Sequence, residues 1–293
     1  MATQTKFASG RFALDVDGSQ VDDLKRFSGL DAQAEIVADD TGAAGTQEKH
    51  VTNTRWTPGQ ATVGMSMGKG MYAWIQSALN TGAGRRGGAF KVADVNGKVR
   101  SIFQFLNASV TDFTVPRLDG ASKDVGAFDV GFETEMVRWS KGAGEELPGK
   151  PGSKTKAWLC SNFKVAIGTL PCTRVATIDS FTWHCLVPTS QHKPVVSVPD
   201  LRLTISSADY DAWAVAAKRW FIDGERAEAN EMSGRITFLG PNLADDLGSI
   251  DLLNVGFKKF ERPATVANSE QIERFAVEFY VEKMMLNIKE YDV

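Results

Sequence analysis

The sequence predicts a mainly β protein of two tandem domains, each an antiparallel β-barrel or sandwich with one helix. Three observations predict it: period-two apolar alternation, a single amphipathic helix in each half, and a long-range internal repeat. Alternation is clear in Phe12-x-Leu14-x-Val16, Phe128-x-Val130-x-Phe132, Leu201-x-Leu203-x-Ile205 and Phe275-x-Val277-x-Phe279-x-Val281. Period two places these side chains on one face of a strand. Asp15, Asp17, Asp129, Glu133 and Glu278 fall on the other face, as in antiparallel sheets covered on one side.

The helix of the first half is read from Met71, Trp74, Ile75, Ala78 and Leu79, with Gly82 past its end. That of the second half is read from Tyr210, Trp213, Ala214, Ala217 and Phe221, with Ser206 or Ser207 as N-cap and Gly224 after it. Both follow helical spacing with the expected start and stop residues. Each unit has about seven strands to one helix, too few helices for a βαβ series.

The repeat sets the domain organisation. "FLNASVTDFTVP" (residues 105–116) aligns with "LLNVGFKKFERP" (residues 252–263), so that Asn107 and Asn254, or Phe113 and Phe260, lie 147 residues apart. The offset persists to Phe128 and Phe275, Phe132 and Phe279, and Glu135 and Glu282. A shared register over so long a stretch reads as duplication. Upstream, Phe12, Leu14 and Val16 match Phe163, Val165 and Ile167 at a different offset, which places insertions in loops. "SKGAGEELPGKPGSKTK" lies between the copies and cannot bury apolar surface. The expected boundaries are a domain over 1–142, a linker over 143–155 and a domain over 156–293.

Composition removes several function classes. With 293 residues, 43% hydrophobic and 24% charged, the chain can build two cores. A net charge of −3, with basic and acidic side chains near balance in each half, gives no basic nucleic-acid module. No run of about 20 apolar residues exists to span a membrane, and "MATQTKFASG" lacks the apolar centre of a signal peptide. Cys160, Cys172 and Cys185 match no zinc or redox spacing and read as buried thiols of a reducing compartment.

Motifs that look chemical fail on context. "GMSMG" (residues 64–68) has the G-x-S-x-G form, which would make Ser66 a nucleophile with His184 or His192 as base. That elbow needs repeated βα units, which are absent, and the second copy has "RLTIS" there. The plainer reading is a strand end with Val63, Met65 and Met67 on one face. "GAGRRGG" (residues 82–88) contains G-x-G-x-x-G, but after a helix and before a strand, the reverse of a dinucleotide site. His50, His184 and His192 form no metal spacing. The seven tryptophans read as core, as Trp74 and Trp213 do, or as anchors between subunits. No catalytic, cofactor-binding or metal residue is expected.

Residues 6–140 resemble the contractile-tail tube protein family of bacteriophages, whose relatives include tubes of injection systems and of type VI secretion. The resemblance lies in ordered features. A strand ends in Asp17-Gly18. Phe27-Ser28-Gly29-Leu30 precedes a strand over residues 32–37. A long polar loop over 39–57 leads to Pro58-Gly59, an alternating strand over 62–68 and a helix over 69–80. Paired strands break near Pro116, and a last long strand covers 125–139. The chain departs from the family in having two such domains, and "DSFTWHCLV" replaces Ser-Gly-Leu in the second.

The resemblance implies a tail-tube fold and a structural subunit of stacked rings, the inner tube through which DNA passes. Alternatives are a tube initiator or baseplate hub, or the tube of an injection or type VI secretion system. It implies no enzyme and no cofactor. The partners are other copies of the chain, in trimeric pseudo-sixfold rings or in hexamers. Tail sheath, baseplate and tail terminator proteins follow, with transient, non-specific DNA in the lumen and no membrane anchor. The place is the virion tail, assembled in the host cytoplasm. Contacts between rings are expected at Asp39, Thr41, Gln47, Glu48, His50 and Arg55, and Glu133, Glu135, Glu278 and Glu282 are candidates to line the lumen.

Overall fold

A computed structural model describes residues 11–39, 47–82, 84–147, 158–186, 195–262 and 273–289. The first half contains β1 (Arg11–Val16), β2 (Ser19–Gln20), β3 (Leu24–Ser28), β4 (Ala32–Asp39), β5 (Glu48–Trp56), β6 (Gly59–Val63), α1 (Lys69–Thr81), β7 (Arg86–Ala93), β8 (Val99–Val115), β9 (Leu118–Asp119), β10 (Phe128–Glu133) and β11 (Met136–Lys141). The second contains β12 (Phe163–Ile167), β13 (Val175–Ile178), β14 (Phe181–Leu186), β15 (Val195–Ser197), β16 (Leu201–Ser206), α2 (Tyr210–Phe221), β17 (Met232–Leu239), β18 (Asp246–Glu261) and β19 (Arg274–Ile288). Every strand pairing is antiparallel.

The two halves share one topology. The first runs β2-β1-β7-β8-β10-β6-β3 and the second β12-β17-β18-β19-β16-β13-β9. Registers agree residue by residue. Val130↔Phe113 in β10 and β8 recurs as Val277↔Phe260 in β19 and β18. The slip between Leu24↔Val63 and Arg26↔Thr62 recurs between Val175↔Ile205 and Thr177↔Thr204. A single-residue slip would turn every side chain to the wrong face, so agreement at this level means both copies bury the same set.

One unusual backbone position is duplicated too. Asn107 (φ 53°) and Asn254 (φ 55°) are both left-handed, within the long strands β8 and β18. Asparagine tolerates that region better than most residues. Each side-chain amide donates to a matching glutamate: Asn107 to Glu135, in the bend between β10 and β11, at 2.9 Å, and Asn254 to Glu282, on β19, at 2.6 Å. Beyond Ala108, β8 changes partners, from β7 and β11 to β10, so one strand serves two layers.

Each helix closes its unit. Met71, Trp74, Ile75, Ala78 and Leu79 are buried on α1, and Gly82 ends it with φ 63°. Trp74 packs on Phe132 at 5.3 Å, and Trp213 on Phe279 at 6.1 Å. Their indole N–H groups reach the carbonyls of Gly84 and Pro171. In α2 the burial differs from the sequence expectation. Trp220 is buried between Phe257 of β18 and Tyr280 of β19, whereas Phe221 meets Phe257 alone of these two and is exposed. Ser206 caps a short 3-10 turn, Ser207–Asp209, that leads into α2.

The expected strand over 62–68 stops at Val63; Met65, Ser66 and Met67 are buried in the turn that follows. The Ser-Gly-Leu stretch has a mechanical reason. Gly29 has φ 91°, and a Cβ there would lie 1.9 Å from the Pro58 carbonyl oxygen. Only glycine permits that approach. Residues 143–147 pack against the first domain, where Leu147 N–H bonds the Gly97 carbonyl and Leu147 is buried.

The two cores merge into one cluster. Trp158 joins them, stacked on Phe128 at 5.5 Å and edge-on to Phe238 at 4.7 Å. Gly126 makes room: a Cβ there would lie 1.9 Å from the indole. Truncation by Trp158→Ala is expected to cost about 3–5 kcal/mol. Urea unfolding followed by circular dichroism should then separate into two transitions. Asn107→Ala should cost about 1–2 kcal/mol from left-handed strain. It should also release Glu135, whose carboxyl is held below its usual value first by the Asn107 amide and then by Arg85. The Glu135 carboxyl, followed by NMR, should titrate at higher pH in that variant. Its charge-linked stabilisation, present above the ordinary carboxylate range in the wild type, should fade at correspondingly higher pH as acid is added.

Candidate assembly interface

The sequence offers sheet edges rather than a catalytic cleft, and the structure shows how two are satisfied. Strand β14 of the second domain lies along the far end of β8 in the first. Phe181 pairs with Val115, Thr182 with Thr114, Trp183 with Phe113 and His184 with Asp112. The Thr114 and Thr182 hydroxyls are 2.8 Å apart, and Ser180 Oγ donates to the Val115 carbonyl at 2.8 Å. His184 Nδ1 lies 2.6 Å from Asp112 Oδ1. Trp183 is fully buried, 5.5 Å from Phe113. In return β9 of the first domain pairs with β13 of the second. Tyr72 on α1 donates its hydroxyl to the Leu286 carbonyl at 3.2 Å and accepts from the Ile288 N–H at 3.3 Å. Each domain thus donates a strand to the other's sheet, which satisfies backbone groups an edge would leave open.

The stretch expected as a polar loop over 39–57 is largely a β-hairpin. Strand β5 pairs with β4 from Ala32↔Trp56 to Asp39↔Glu48 as a separate two-stranded sheet. At about 3.4 Å per residue its nine residues span about 30 Å. The sequence hid it because neither face is buried: Ile36 is 58% exposed, Val37 51% and Val51 67%. Of the expected inter-ring residues, Asp39, Glu48, His50 and Arg55 lie in this ribbon, with Gln47 just before β5. Thr41 lies outside the described residues. Arg55 reaches Glu35 at 3.1 Å, and His50 lies 3.9 Å from Glu48.

The four expected lumen glutamates do not form one cluster of contacts. Glu133 ends β10 and is exposed. Glu135 bonds Asn107 and Arg85, and Glu282 bonds Asn254, so these two are one position seen twice. Glu278 pairs with Lys258 at 2.7 Å. Arg85 and Arg86 of the glycine-rich stretch both pair with carboxylates, Arg86 with Asp17 at 2.9 Å. Ser66 Oγ is buried without a hydrogen-bond partner among the described residues, and His192 lies outside them. Burial raises all three thiols, Cys185 to about 11. Among the described residues no helix is long and apolar enough to cross a membrane.

Sequence reasoning missed the joint itself. "FTWHCL" shows alternation, and the burial of Phe181, Trp183 and Cys185 explains it. Nothing in the run says that the face covered belongs to the other domain.

Known proteins can be set beside this geometry. Residues 8–138 match the family model of the T4-like virus tail tube protein gp19. No curated protein matches the chain. Among solved structures, it is similar to a chain of the PVC sheath-tube complex of an extracellular contractile injection system. That match has 20% identity, covers 47% of this chain and 94% of the other, and has a TM-score of 0.41. A chain of the anti-feeding prophage cap matches at 20% identity over 48% of this chain and 95% of its own, with a TM-score of 0.42. Hcp1 from Flavobacterium johnsoniae matches at 16% identity over 46% and 97%, with a TM-score of 0.29. The family match spans β1 to β10 and the first half of β11, the elements whose edges and hairpin are described above, and so it is over residues 8–138 that this chain is similar to the T4-like virus tail tube protein family.

Proposed function

We propose that the chain is a structural subunit of a phage-type tail tube, assembling into stacked rings around a channel for DNA. The observation that carries this is the family match over residues 8–138, reinforced by two domains that already share sheets edge to edge. Residues 1–142 and 156–293 each take one position in the ring, so three chains close a pseudo-sixfold ring; six chains are the alternative. The subunit is non-catalytic and uses no cofactor. DNA passes without specific contacts, in keeping with a net charge of −3. Glu133, Glu135, Glu278 and Glu282 are the proposed lumen positions. Sheath, baseplate and terminator proteins are the further partners of a tail assembled in the host cytoplasm.

Purified protein viewed by negative-stain electron microscopy should form long hollow tubes with three chains per ring. Lone rings that never stack would overturn the main-tube reading in favour of an initiator or hub. Rings of six chains with the second domain outside would overturn the pseudo-sixfold arrangement. The hairpin tip is proposed to reach the next ring, with Asp39, Thr41, Gln47, Glu48, His50 and Arg55 along that path. Deleting residues 42–48 should leave soluble rings of unchanged diameter and abolish long tubes. Normal tubes from that variant would remove the tip from inter-ring contact.

A further inference from the structure

One half of this molecule has a groove that is filled, and the other half has the same groove open. In the first domain the groove lies between α1 and the far end of β8. The hairpin β14–β15 occupies it: β14 pairs with β8, both its strands touch α1, and Cys185 Sγ meets the Ala78 carbonyl at 3.7 Å. In the second domain the matching groove lies between α2 and the far end of β18. It is open, about 470 Å³ in volume, with Tyr210, Ala214, Ala217, Phe221 and Phe260 among its walls. Ala217 stands where Ala78 does, and Phe260 where Phe113 does. Strand β7 runs along β8 as far as Ala108, and β14 then takes over. Strand β17 runs along β18 as far as Val255, and among the described residues no strand takes over at 259–262. Beside the groove Phe221 is 41% exposed and Ile222 75%.

The molecule also carries a hairpin without a groove. Gln33↔Arg55, Ala34↔Thr54 and Glu35↔Asn53 in β4–β5 correspond to His184↔Ser197, Cys185↔Val196 and Leu186↔Val195 in β14–β15. Both hairpins leave their domains from equivalent strands, β3 and β13, and both are rooted by a buried apolar residue, Leu30 or Phe181. A two-stranded ribbon with no third neighbour is marginal in water. Charge also fits. Lys218, Lys258, Lys259 and Arg262 line the groove, and on the hairpin and its root Asp31, Glu35, Asp39 and Glu48 outnumber Lys49 and Arg55.

We infer that the root of the β4–β5 hairpin of one copy of this chain, residues 32–35 with 53–56, seats in the α2–β18 groove of a second copy, its tip being left to the next ring. Strand β4 adds antiparallel to β18, with Ala32 opposite Phe260 and Gln33 opposite Lys259, as Trp183 faces Phe113 and His184 faces Asp112 within the chain. This rests on the reading of the chain as a ring-forming subunit and names the surface that closes the ring. Asp31 falls opposite Glu261. Arg202, 2.5 Å from Glu261, together with Lys259 and Arg262, offsets that pairing of like charges. Alanine replaces tryptophan at the centre of the contact, so this joint buries less than the one inside the chain. Rings therefore come apart between chains and not between domains.

Cysteine cross-linking tests the register. Gln33→Cys and Lys259→Cys are made in separate chains, mixed and oxidised. A disulfide-linked dimer on a non-reducing gel is expected from the mixture and from neither variant alone. Chains carrying both substitutions should give a ladder that ends at the ring size. Ala34→Arg, on the exposed ribbon, should abolish rings while leaving the circular-dichroism spectrum and thermal transition unchanged. Wild-type rings seen by microscopy, with no dimer from the mixture, would overturn this docking and leave the tube reading standing. A double variant that links only within one chain would overturn it as well. Wild-type protein that stays monomeric at every concentration, with no cross-link, would overturn both.

Discussion

An antiparallel sheet that ends in an edge leaves a row of backbone donors and acceptors without partners, and this fold resolves that constraint by lending strands. Strand β14 leaves its own domain to finish the sheet of the other, and β9 returns the exchange. The side chains follow from that decision. Trp183 is buried because the strand carrying it lies across a foreign core, and Trp158 can stack between Phe128 and Phe238 only because the exchange holds the domains together. Backbone pairing sets the geometry, and aromatic burial makes it stable.

Much of this was legible in the sequence because duplication writes a pattern twice. The 147-residue spacing of Asn107 and Asn254 marked a shared register, and the structure gives its cause in a left-handed kink held by a matching glutamate, Glu135 or Glu282. Alternation in β1, β10, β16 and β19 and the apolar face of α1 were readable for the usual reason: one side is wet and the other dry.

Of the hairpin β4–β5, the first strand was read over residues 32–37 and the second was not. With both faces exposed, "EKHVTNTRW" lacks the alternation that marks a half-buried strand, and its composition is that of a loop. The same blindness applied to the joint. A strand buried against a neighbouring domain carries the same alternation as one buried at home, so "FTWHCL" announced burial without saying against what. Phe221 was misplaced for a related reason, since helical periodicity fixes a face only to within about one residue, and Trp220 took the inner position.

The weld between the domains has a kinetic meaning. Each association of free bodies forfeits translational and rotational freedom worth about 4–15 kcal/mol. In the proposed ring of six domain positions built from paired domains, three of the five associations are settled when the chain folds, where the local concentration of one domain at the other is fixed by the polypeptide. Nucleation then depends on a lower power of subunit concentration than it would for single domains. Such a wall can begin to grow from a sparser pool of subunits.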